Sequence, residues 1–256
     1  MSASTSLRVH CRTEFLDGSR WSVLSPRPSE PARFATNLFD GAWHILCDTE
    51  SAGLLARLMW ALAFQRREQT MIVIDHALLV ANPFDGDPSS PIVLVNTELG
   101  TPSAKAIGEL FTRLPFATDS EGTVRLRTHG LDEAIGAGRA PVVTVSQPGE
   151  RPAQLRRGFN RVNGVLMITV PGSVLRVEAY RCAGQAASEA EASDALYLGD
   201  RTGEIQVLPG RLIERAGQVV SAREGLFPGR GSAALSNTER QQLADHLAVG
   251  VFPDGG

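Results

Sequence analysis

Lysine is almost missing from this chain: Lys105 is the only one among 25 basic residues. A phosphate-loop lysine of the GxxxxGK[ST] kind is therefore excluded, and Schiff-base or lysine-general-base chemistry would have to use Lys105, which lies on an amphipathic helical stretch. Cysteine is scarce as well. Cys11, Cys47 and Cys182 are odd in number, far apart and without CxxC spacing, which supports neither a disulfide framework nor a zinc knuckle. The longest apolar run, "AGLLARLMWALAF", is broken by Arg57 and falls short of the roughly 18 residues that cross a bilayer. The beginning, "MSASTSLRVHCRTEF", holds no apolar stretch of signal-peptide length, so a soluble, cytoplasmic protein without membrane contact is expected. Glycine fingerprints are missing too. "DTESAG" offers only Gly53 where GxGxxG would let a pyrophosphate approach, and Ser146 has no GxSxG elbow around it.

What is present is an ordinary globular composition, 43% hydrophobic and 21% charged over 256 residues. A net charge of -3 argues against a general attraction to nucleic acid, though not against a local basic face.

Residues 7 to 25 alternate apolar and polar around "LDGSR", the pattern of a hairpin with a glycine-containing turn. "SPRPSEPARFATNLFDG" reads as a connecting loop. From Trp43 onward six apolar runs, "WHILCD", "TMIVID", "PIVLVN", "TVRLRT", "PVVTVS" and "VLMITV", alternate with helical segments. Thr101 is a candidate N-cap before Pro102, with Ile107, Leu110, Phe111 and Leu114 on one face, and Leu155, Phe159 and Val162 suggest another helix. Residues 70 to 96 hold no helix-length connection and allow a hairpin or an edge strand. "LYLGDRTGEIQVLPG" reads as a hairpin, and Ser236 with Glu239 as the capping box of a final helix. The expected fold is α/β: a three-layer, Rossmann-like, mainly parallel sheet with an N-terminal β-hairpin and C-terminal hairpin and helix additions. Its parts are an N-terminal hairpin and linker (1–42), an α/β core (43–170), and a C-terminal extension or small subdomain (171–256).

In such sheets ligands bind beyond the carboxyl ends of the strands, where helix N-termini converge. That locates Asp48 and Thr49, Asp75 and His76, Asn96 and Thr97, Thr128 and His129, and Ser146 and Gln147. Asp48 and Asp75, if on adjacent strands about 4.8 Å apart, would repel and could be relieved by Mg²⁺, with Asp85 and Asp87 as further oxygen donors. The simpler role of both is capping. His76 and His129 have the right chemistry for proton transfer. Arg151 lies near the expected crevice, while Arg156, Arg157 and Arg161 form an outward face, and Trp60 with Phe64 could mark a partner interface, including self-association.

The leading functional expectation is a regulatory or accessory protein that binds a small anionic ligand, a nucleotide or phosphate ester, or a protein partner. Ligand contacts would come from Thr49, Asn96, Thr97, Ser146 and Arg151. One alternative is a metal-assisted hydrolase or phosphoryl-transfer enzyme with Asp48 and Asp75 on the metal and His76 or His129 moving protons. Another is a purely protein-binding component.

Overall fold

The computed structural model describes residues 6–39, 41–116, 120–141, 158–187, 196–197, 203–208 and 212–251, with backbone alone at 196–197 and 248–251. The N-terminal hairpin forms as expected. β1 (Ser6–Leu16) and β2 (Ser19–Pro26) pair antiparallel from Val9↔Pro26 to Leu16↔Ser19. Asp17 and Gly18 between them have φ 47° and 73°. A two-residue Asp-Gly loop with both φ positive matches the twist of the strands it joins.

The segment read as a loop contains β3 (Phe34–Phe39), which pairs antiparallel with β4 (Ala42–Cys47). Asp48 then caps α1 (Thr49–Ala63), its carboxylate accepting from Ser51 N at 2.7 Å. The remaining elements are β5 (Thr70–Ile74), β6 (Ile92–Asn96), α2 (Ala104–Phe111), β7 (Gly122–Arg127), α3 (Leu131–Gly136), β8 (Gly158–Val162), β9 (Val165–Val170), α4 (Gly172–Ala187), β10 (Leu196–Tyr197), β11 (Gly203–Val207), α5 (Leu212–Leu226) and α6 (Asn237–Val251). Ser103, not Thr101, caps α2, accepting from Ala106 N at 3.0 Å. The Ser236–Glu239 capping box of α6 is present in both directions, at 2.8 and 3.3 Å. "PVVTVS" from Val142 onward lies outside the described residues.

The fold is mixed α/β, and its strands divide between two sheets instead of one mainly parallel sheet. The larger runs β7-β1-β2-β5-β6-β9-β8 and the smaller β10-β11-β4-β3. Among the described residues of the larger sheet, only β2–β5 and β6–β9 are parallel. β5 and β6 run antiparallel because the connection between them holds no helix long enough for a crossover, only a 3-10 turn at His76–Leu78. Phe159 and Val162 lie on β8, a strand where a helix was expected. β8 turns into β9 through Asn163 and Gly164, with φ 49° and 84°.

α1 is buried on most sides: Leu54, Leu55, Leu58, Met59 and Leu62 share one cluster with Ile72, Leu94 and Ile168 of the larger sheet. The same cluster takes Ile45 and Ile205 of the smaller sheet, and Leu175 and Cys182 of α4. Full burial of each such leucine stabilises by roughly 1.5–3 kcal/mol, and a helix apolar nearly all round is one that neighbours cover from several directions. The opposite face of the larger sheet packs Val23, Met71, Val93 and Met167 under Ile107 and Leu110 of α2. Among the described residues no helix is long and apolar enough to cross a membrane.

Candidate functional site

The period-two pattern of β1 sends Leu7 and Val9 into the main cluster, so Arg8, His10 and Arg12 stand on the other face of the sheet. β7 repeats the device. Leu126 is buried against the core, while Thr123, Arg125 and Arg127 share the face of Arg8 and His10. The register puts Arg8 directly opposite Arg125, His10 opposite Thr123, and Ser6 opposite Arg127. Arg27, just past β2, reaches over this face and donates through Nη2 to Thr123 Oγ1 at 3.0 Å.

Arg8, Arg125 and Arg127 are exposed and Arg27 is half-buried. Among the described residues none of these four forms an ion pair with a carboxylate; the eight ion pairs found there use other cations. Arg12 is buried, donates to Ser25 Oγ at 3.3 Å and stacks on the Phe116 ring, 4.6 Å from its centroid. His10 bonds Ser120 Oγ through Nδ1 at 2.9 Å. Burial, then Arg12 and then Arg27, lowers the His10 pKa below the usual imidazole range.

The residues expected at the strand ends are placed differently. Asp48 closes β4 of the smaller sheet and Asp75 closes β5 of the larger, so the two are not on neighbouring strands. Both carboxylates cap: Asp48 holds α1, and Asp75 accepts from His76 N at 2.5 Å and from Phe116 N at 2.8 Å. Thr49 is exposed in the first turn of α1. Because β5 and β6 are antiparallel, Asn96 and Thr97 lie at the opposite rim of the larger sheet from Asp75 and exposed His76. Asn96 accepts from Glu98 N at 3.1 Å and donates to Leu62 O at 3.4 Å.

Following the registers from β5 through β2 and β1 to β7, Thr128 and exposed His129 share the rim of Asp75 and His76. Arg27 and Arg127, each at or just past a strand end, belong to that rim as well. Ser146, Gln147, Arg151, Arg156 and Arg157 lie outside the described residues, and Arg161 is on β8, over the Trp43 ring at 5.5 Å. Trp60 is buried and donates to His129 O at 3.3 Å. Phe64 is more than half exposed, with the Arg176 guanidinium 5.5 Å from its ring centroid.

Asp85 and Asp87 knit a loop to α5. Asp87 takes Arg223 at 3.0 Å and Ser232 N at 2.8 Å, and Asp85 accepts from Asp87 N at 2.9 Å. Burial raises the Asp85 pKa. Among the described residues no group of three or more His, Cys, Asp and Glu side chains is arranged to hold a metal ion.

Two features escaped the sequence reading. The first is the arginine face, whose signal is present in "RVHCR" and "VRLR" as arginine at every second or fourth position of a strand. The second is a buried pair in the smaller sheet, His44 Nδ1 to Glu204 Oε1 at 2.6 Å, across the parallel register of β4 and β11. Its Nε2 has no hydrogen-bond partner among the described residues. No local motif links residues so far apart in sequence.

No family model, curated protein or solved structure matches the chain. The fold class is mixed α/β, and any functional reading rests on the geometry of its own residues.

Proposed function

We propose that this protein is a regulatory or accessory binding protein that holds an oxyanion ligand, a phosphate ester or a carboxylate, on the arginine face of β7, β1 and β2. The observation that carries this reading is the cross-strand pairing of Arg8 with Arg125. Like charges directly opposite each other in an antiparallel pair are destabilising, by about 0.2–1 kcal/mol, and an anion between them reverses the sign. Guanidinium groups suit the task, because their planar forks match phosphate and carboxylate oxygens and stay charged at every physiological pH. Arg127 and Arg27 flank the pair, and a net charge of -3 over the whole chain makes the concentration of cations here a local feature.

Calorimetric titration with inorganic tripolyphosphate tests the reading. Saturable binding is expected at low ionic strength and should weaken as salt shortens the screening length to about 8 Å. Each charge-assisted bond contributes roughly 1.5–3 kcal/mol, so Arg8→Gln with Arg125→Gln should weaken binding by about 100-fold or more. Unchanged affinity in that double variant, with its fold intact by circular dichroism, would overturn the assignment.

A further inference from the structure

The arginines of β7 lie on a strand that pairs with β1 alone among the described residues, which makes it the terminal strand of the larger sheet. Five of its six residues are exposed, Leu126 being the exception, and Val124 keeps 37% of its surface accessible. An unpaired strand edge presents N-H and C=O groups that seek a further strand. Charges on an edge normally discourage indiscriminate pairing, and cationic ones discourage every partner except an acidic one.

We infer that the occupant of this face is an extended acidic polypeptide segment, from a partner protein, that adds to the sheet along the edge of β7 that no described strand pairs. The inference rests on the anion reading above and makes it specific. Along a strand, same-face side chains recur about every 6.8 Å, and the next strand lies about 4.8 Å away. A guest strand with Glu or Asp at alternate positions would set one carboxylate beside Arg125 and the next beside Arg127, with Arg8 one strand further in. Its intervening residues would fall on the face of Val124 and Leu126, where apolar side chains extend the core. Main-chain hydrogen bonds would supply affinity and the alternating side chains specificity, as in other strand additions. A nucleic acid could meet the guanidinium groups but has no backbone ladder to satisfy the edge, so the edge favours a polypeptide.

The experiment compares three probes on the full chain: tripolyphosphate, a short synthetic peptide alternating glutamate and valine, and the same peptide N-methylated on alternate backbone amides. Amide hydrogen exchange of Gly122–Arg127 is followed alongside affinity. The alternating peptide should bind, slow exchange of those β7 amides that point away from β1, and lose about tenfold or more in affinity when its amides are methylated. Arg125→Gln with Arg127→Gln should abolish binding without lowering the thermal transition, since both side chains are exposed and removing Arg125 relieves its like-charge pairing with Arg8. Tripolyphosphate binding without peptide binding, or peptide binding without slower β7 exchange, would overturn strand addition and leave the anion reading standing. If neither tripolyphosphate nor the peptide binds, both fall together.

Discussion

Glu178 lies within α4 with 3% of its surface exposed, and Arg181 reaches only one of its oxygens, at 3.2 Å. The other oxygen has no partner among the described residues. Burial, opposed weakly by Arg181, raises its pKa from 4.5 to about 7. A carboxyl whose folded pKa exceeds its unfolded value binds its proton more tightly in the folded state, so it favours folding at low pH. That advantage is present below about pH 4.5 and disappears as the pH rises through about 7. With about 1.4 kcal/mol per pKa unit, the full swing is roughly 3 kcal/mol. Glu178→Gln, which stays neutral, should therefore melt higher than the parent at pH 8 and nearly together with it at pH 4.5. A pH-independent difference would show that Glu178 titrates normally. Nearby Cys182 is pushed up to about 12 by burial and then by Glu178, which keeps it protonated and chemically quiet.

Local signals rendered the elements more faithfully than their partners. Asp17-Gly18 forecast its hairpin, the Ser236/Glu239 box its helix, and Asp48 the start of α1, because each is decided by bonds within a few residues. Asn163-Gly164 carries the same hairpin chemistry as Asp17-Gly18, yet the spacing of Leu155, Phe159 and Val162 also fits a helical face. On so short a stretch periodicity does not discriminate. β3 was masked by Pro26, Pro28 and Pro31 before it, and by a tip where Leu38 and Phe39 remain exposed. Strand direction was least legible, since a strand buried on both faces reads alike in either orientation.

The joint between the two sheets makes a definite demand at this scale. Gly203 of β11 lies under the Phe159 ring of β8, and a Cβ there would fall 2.6 Å from the Trp43 carbonyl oxygen and overlap the ring. Gly203→Ala should cost about 1–3 kcal/mol through overpacking, read as a lower urea midpoint at unchanged slope. An unaltered midpoint would mean that β8 and β11 are not in contact.

At the scale of the whole molecule, the candidate site follows from which strands became neighbours. Parallel strand ends would have gathered the polar groups around one hollow, but two sheets separate Asp48 from Asp75, and an antiparallel pair sends Asn96 to the far rim. The arginine face arises instead from two strands more than a hundred residues apart, with like charges in register. Its cations were legible one strand at a time, and their juxtaposition was not, because no local rule sets the pairing of β1 with β7. On the proposed function, this juxtaposition opposes folding until an anion arrives. Thermal unfolding of the parent and Arg125→Thr, each with and without tripolyphosphate at low salt, addresses it most directly. Without ligand the variant should melt about 1–3 °C higher, as relief of about 0.2–1 kcal/mol implies in a chain this long, and tripolyphosphate should raise the transition of the parent alone. A variant that melts lower than the parent without ligand, and still gains as much from tripolyphosphate, would contradict the account.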